Sequence, residues 1–161
     1  MTVSFIYSFC NNEDKGTEKE WKWIIGKELT MQRDLSDFVN DSKTLFHYLS
    51  RSRAKSYMVF ANNKKELSDK NIYYMSPRDA DHNDIGSVFG ATINFGNRAE
   101  TFVQGVLVIS SYGETFINKN NNVLTENEFK NLLFERIFPY YQRLIETELG
   151  IKYLHLRNQM I

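Results

Sequence analysis

The sequence predicts an α+β fold, one domain in which helices pack on an antiparallel β-sheet. Two features carry that prediction. Ser87 to Phe95 and Thr101 to Ser111 are apolar runs rich in β-branched residues around a short polar turn, the pattern of a β-hairpin that ends a sheet. Thr125 to Leu149 then sets Phe129, Leu132, Leu133, Ile137, Tyr141, Leu144, Ile145 and Leu149 at helical spacing, the pattern of a long helix that packs back on that sheet. The length of 161 residues suits one domain with a core that needs neither disulfides nor metal. The domain is taken as 1–161, with a strand and polar connector over 1–16 and the closing helix over 125–150.

In chain order, Val3 to Phe9 alternates side-chain character, which predicts a half-buried strand. A polar connector follows, and Thr17 with Glu20 has capping-box spacing, predicting a helix that carries Trp21, Ile24, Ile25 and Leu29 on one face. Leu35, Phe38, Val39, Leu45, Phe46, Tyr48 and Leu49 predict a second helix that starts near Asp34 or Ser36. It ends in Arg51, Arg53 and Lys55, cations that complement the negative end of a helix and need no phosphate to explain them.

Ser56 to Ala61 and Asn71 to Met75 read as short strands joined by a polar loop. SPRDADHNDIG interrupts the apolar pattern before the hairpin, and Gly105 within the last strand marks a bulge or a close backbone approach. Thr125 with Glu128 is a capping box, Pro139 should bend or interrupt the helix it opens, and Gly150 is placed to end it. The tail from Ile151 fits either a short strand or a further helical turn.

Composition narrows the function classes. Hydrophobic residues at 42% rule out a wholly disordered chain. Twenty basic residues balance twenty acidic ones and are mixed along the chain, so no broad field favours nucleic acid or an anionic membrane as partner. Cys10 stands alone, so the sequence offers no intrachain disulfide and no CxxC motif, which fits a reducing, cytoplasmic setting. No apolar run reaches the length of a membrane span, and the first ten residues lack the features of a signal peptide.

The run SVFGATINFG, then NRAET, then FVQGVLVISSYGETF, then NNNVLTENEFKNLLFERI resembles a GAF domain, with Gly105, Val106, Leu107, Ser110, Ser111 and Phe116 in the places of the family's strand, small residues and following Phe. Profilin-like and longin-like sensor folds share this general plan. The resemblance covers the C-terminal half of the chain; the N-terminal half matches only in element order. It implies a non-enzymatic regulatory or sensor domain that acts as a homodimer through its terminal helices, with contacts to a protein partner or a covalently attached effector domain. It also implies a departure. The segment SPRDADHNDI between the expected strands is short for the lid that encloses a ligand in such domains. One cysteine excludes the methionine sulfoxide reductase chemistry of the family, Cys10 lies far from a bilin attachment position, and the cyclic-nucleotide pattern is not recognisable. No cofactor is expected.

Candidate ligand contacts gather at the polar loop beside the aromatic run: Tyr74, Arg78, Asp81 and His82, with Asn94 on the strand that follows. They support an alternative reading as a receptor for a nucleotide or metabolite. Phe60, Tyr73, Tyr74, Phe89 and Phe95 are expected along one sheet face, as core or as pocket lining. His47 and His155 read as packing or interface residues, and no histidine pair has metal-binding spacing. Asp79, Asp81 and Asn83 resemble the start of a calcium loop, but Asp84 and Gly90 stand where that loop needs Gly and a bidentate acid, so turn capping is the simpler role. A hydrolase or transferase built on His82 and a neighbouring aspartate is the remaining alternative.

Overall fold

The computed structural model describes residues 1–10, 20–26, 34–51, 57–97, 100–118 and 124–159. Among the described residues, five antiparallel strands form one open sheet: β1 (Thr2–Phe9), β2 (Lys22–Ile25), β3 (Met58–Ala61), β4 (Val88–Gly96) and β5 (Thr101–Ser110), in the spatial order β2-β1-β5-β4-β3. The α+β expectation holds. The β4–β5 hairpin comes last in chain order, yet it occupies the middle of the sheet, because β1 pairs with the free side of β5 along its full length from Thr2↔Ser110 to Phe9↔Val103. That position explains its apolar character: a central strand buries both faces.

Alternation along the strands sends two sets of side chains to opposite faces. Phe5, Phe89, Ala91, Ile93, Val103 and Leu107 point to one face, where Phe138 and Leu149 cover them. Ile6, Val88, Val106 and Val108 point to the other, beneath Leu35, Val39, Leu45, Phe46 and Leu49. The sheet is thus the middle of three layers. The five aromatics expected on one face divide: Phe60, Phe89 and Phe95 lie on the first, Tyr73 belongs to the second, and Tyr74 is exposed.

Trp21 to Ile25, expected in a helix, form an extended segment whose Lys22–Ile25 is strand β2. Trp21 and Trp23 alternate about Lys22 and pack on the second core, with Trp23 edge-on to Phe46 at 6.2 Å. Pairing with β1 outweighs the local helix signal. Thr17 and Leu29 lie outside the described residues.

The expected second helix is two, α1 (Leu35–Asn40) and α2 (Leu45–Ser50). Thr44 separates them: its hydroxyl oxygen accepts the His47 N–H and its hydroxyl is within bonding distance of the Phe38 and Asp41 carbonyls. An N-cap of this kind typically contributes about 1 kcal/mol. Arg51 closes α2; Arg53 and Lys55 lie outside the described residues. His47 packs as expected, with Nδ1 at 3.1 Å from the Val39 carbonyl.

Asn71 to Met75 is not a strand. The whole stretch from 62 to 87 connects β3 to β4 and carries two short helices, α3 (Lys65–Ser68) and α4 (Pro77–Asp81). Ser76 caps α4 in a capping box with Asp79, and Pro77 occupies the first turn, where its missing N–H costs nothing.

The closing helix begins with the Thr125–Glu128 capping box and runs as α5 (Glu126–Leu132), a π-helical turn (Leu133–Ile137) and α6 (Phe138–Gln159). Pro139 accounts for the π turn, because its ring collides with the carbonyl of Glu135 four residues earlier unless the helix widens there. Gly150 does not end the helix. It lies against Phe95, whose Cε2 would be 2.6 Å from an added Cβ, so it is a packing residue. The tail is helical, and His155, expected in packing or at an interface, is exposed and does not pack within the chain. Gly105 marks a close approach and not a bulge, since an added Cβ would sit 2.8 Å from the Phe5 ring.

Candidate functional site

The connection from 62 to 87 folds over one end of the second sheet face and encloses the most polar part of the interior. Its anchor is a buried ion pair. Lys64, at the start of α3, is fully buried and its Nζ lies 2.6 Å from Asp79 Oδ1. The second carboxylate oxygen of Asp79 accepts the Ser76 N–H at 2.8 Å and the Ser76 hydroxyl at 2.6 Å. One carboxylate therefore completes the α4 cap and neutralises a buried ammonium. Burial pushes the Lys64 amine below its ordinary range, and Asp79 opposes that shift.

Aromatic rings surround the ammonium. Nζ lies 3.6 Å from the centroid of Tyr112 and 5.7 Å from that of Tyr73. Arg78 lies over the Tyr112 ring at 4.5 Å, so Tyr112 sits close to a buried cation and an exposed one. Burial, followed by the charge of Asp79, pushes the Tyr73 phenol strongly up.

The turn carrying Lys64 is clamped in place. The Lys64 N–H donates to the Gly86 carbonyl, and the side chain of Asn62 accepts the Ile117 N–H while donating to the Ile117 carbonyl. A side chain at Gly86 has no room: an added Cβ would stand 2.3 Å from the Ser111 carbonyl oxygen and 3.0 Å from Lys64 Cε. Gly86→Ala is expected to cost about 1–3 kcal/mol in urea unfolding; an unchanged midpoint would contradict this packing.

Beside the ion pair lies a cavity of about 260 Å³ between β1, β5, the start of α2 and the segment 73–78. Tyr73, Tyr74, Tyr112 and Phe38 give it aromatic walls, Ser4, Thr44, Ser76 and Ser110 supply hydroxyls, and Arg78 supplies a cation. It is a little smaller than the usual range for small-molecule sites. SPRDADHNDI is therefore more than a simple link, since Ser76, Pro77 and Arg78 close one wall.

Of the five residues read as ligand contacts, Tyr74 and Arg78 line this cavity. Asp81 and His82 lie just past it, at the end of α4 and its cap. Asn94 is elsewhere: it pairs with Gln104, six residues along β4 from the Val88↔Ser110 pair, roughly 20 Å away at strand rise. Lys64, Tyr73 and Tyr112 were missed as a group. A lysine in a polar loop gives no sign of burial, although the Ser-Pro-Arg-Asp capping pattern at 76–79 was available to find α4.

His82 is held by groups other than an aspartate. Its Nδ1 donates to the Arg78 carbonyl at 2.8 Å and its ring rests on Tyr112, while Asp79 is engaged by Lys64 and Ser76. Asn83 and Asp84 take left-handed backbone conformations at φ 56° and 58°, so the acidic run makes a turn. Among the described residues, no group of three His, Cys, Asp or Glu side chains could hold a metal ion.

Tyr73 gives the site an alkaline signature. The unfolded chain ionises this phenol above its ordinary value of 10.0 and the folded chain resists doing so. Its contribution to stability is therefore present below that pH and lost as pH rises above it. Lys64 acts in the opposite direction, since the folded chain releases that proton more readily than the unfolded one. Chemical unfolding across the alkaline range should show a steeper loss in the wild type than in Tyr73→Phe; equal slopes would contradict the assignment.

The chain matches no family model, and comparison with curated proteins and with solved structures likewise finds no similar protein. No helix among the described residues is long and apolar enough to cross a membrane.

Proposed function

We propose that the chain is a non-enzymatic, GAF-like regulatory domain of the cytoplasm that acts through self-association and partner contacts made by its closing helix. One observation carries this reading: α6 is apolar on two opposite faces. Phe138, Ile145, Leu149 and Tyr153 turn toward the sheet, whereas Tyr140, Leu144, Ile151 and Leu154 are 54–75% exposed. A surface helix that needs only to cover a core is polar on its outer side. A contiguous outward apolar stripe marks an interaction surface. Between it and the edge strand β2 lies a groove of about 710 Å³ that includes Ile24, Leu144 and Ile151. The lone half-buried Cys10 suits a reducing compartment.

Leu144→Asp combined with Ile151→Asp tests the reading. Both positions are exposed, so the fold should persist while association is abolished in sedimentation velocity. A sedimentation coefficient identical to wild type at every concentration would refute it.

The cavity beside Tyr112 supports a second reading, in which the same domain receives a small metabolite. In a thermal-shift panel of nucleotides and metabolites, a specific ligand at about 100 times its dissociation constant should stabilise the fold by about 2.7 kcal/mol. The shift should shrink in Arg78→Ala. A panel without any shift would count against this reading.

A further inference from the structure

Resting on the reading of α6 as an interface, we propose that its occupant is a second copy of this chain, and that the two helices pair in parallel and in register as a short two-stranded coiled coil. Ile137, Leu144, Ile151 and Asn158 recur every seven residues. Tyr140, Thr147 and Leu154 fall between them, so the spacing alternates three and four. All of these positions are exposed. A strict seven-residue repeat is what keeps one seam of a helix facing another helix over several turns. The face packed on the domain's own sheet, through Phe138, Ile145 and Leu149, lies on the other side of α6, so the seam is open to a partner.

The flanking charges choose the direction. Within α6, Arg143, Gly150 and Arg157 border the seam on one side, and Tyr141, Glu148 and His155 border it on the other. In a parallel pair, the first border of each helix meets the second border of its mate five residues further on, which sets Arg143 against Glu148 of the second copy, twice by symmetry. In an antiparallel pair the arginine borders face each other, and like charges oppose association. The seam residues agree. Isoleucine at 151 followed by leucine at 154 favours two strands, and Asn158 within the seam is the kind of polar residue that fixes register.

Cysteine cross-linking and charge reversal test the orientation on the full chain. In a Cys10→Ser background, Thr147→Cys and, separately, Leu154→Cys should each give a covalent dimer with oxidised glutathione, since parallel pairing brings equal seam positions within disulfide reach. Thr147→Cys removes no apolar anchor, so it remains informative if Leu154→Cys weakens association. Arg143→Glu should raise the dimer dissociation constant about tenfold, because two ion pairs become two repulsions. Arg143→Glu with Glu148→Arg should restore it. A dimer that cross-links through neither position, or that the double reversal does not rescue, overturns the parallel pairing and leaves α6 standing as an interface. A strict monomer overturns both.

Discussion

Asp79→Ala is expected to destabilise the fold by about 3–5 kcal/mol, the usual cost of leaving one member of a buried ion pair without its partner. The substitution strands the Lys64 ammonium, which is fully buried and whose partner oxygen is 2.6 Å away. It also removes the acceptor for the Ser76 N–H and hydroxyl, so the capping box of α4 keeps only the bond from the residue-79 N–H to the Ser76 hydroxyl. Against a total of 5–15 kcal/mol for a typical domain, the loss is large enough to move a urea midpoint plainly. Lys64→Met with Asp79→Asn should cost less than Asp79→Ala alone, because no buried charge is stranded and the amide oxygen still accepts from Ser76. If Asp79→Ala cost under about 1 kcal/mol, Lys64 would have to reach water in the variant, and the ion pair could not be the anchor of the 62–87 connection.

Phe138→Ala is expected to cost about 3–5 kcal/mol, the range for removing a large buried aromatic side chain. Phe138 is 4% exposed, and its ring meets Phe89 edge-on with centroids 4.9 Å apart. Phe89 belongs to the central hairpin, so this pair ties α6 to β4, one of the three interior strands of the sheet. The contrast lies on the same helix. Leu144→Ala, at a position 57% exposed, should change monomer stability by no more than about 0.5 kcal/mol. Thermal unfolding of both variants at low protein concentration checks the pair of predictions. Similar losses in the two would mean that α6 does not have one inner, structural face and one outer, associative face.

The sequence-level signals that succeeded were those in which local pattern and tertiary demand agree. β4, β5 and the Thr125–Glu128 cap follow from β-branched runs and a capping box, and the sheet uses both strands at its centre. The failures fall where the two diverge. Trp21 to Ile25 offered helical spacing and strand alternation together, and β1 selected the strand. Tyr73 and Tyr74 carry strong strand propensity but fall in a connection, where Tyr73 serves the ion-pair cluster and Tyr74 the cavity wall. Gly150 looked like a helix stop because a glycine needed for close approach to Phe95 is indistinguishable in sequence from one needed for a left-handed cap.

The candidate site was legible in part. Arg78 and Tyr74 mark the cavity, and their neighbours His82 and Asp81 mark the turn beside it. Lys64 was not legible, since burial of a lysine is decided by a partner fifteen residues away. Asn94 was misplaced because nearness in sequence to the loop hides six residues of strand leading away from it. The apolar residues of α6 were visible from their spacing, but spacing alone does not say which of them the domain itself covers. That division separates a core helix from an interface.

Light scattering on the purified chain at rising concentration tests the central claim most directly. With a chain mass of 19.0 kDa, the account predicts a species of twice that mass at high micromolar concentration, reverting to one chain when Leu144 and Ile151 are both replaced by Asp. A wild-type mass that stays at 19.0 kDa throughout would contradict it.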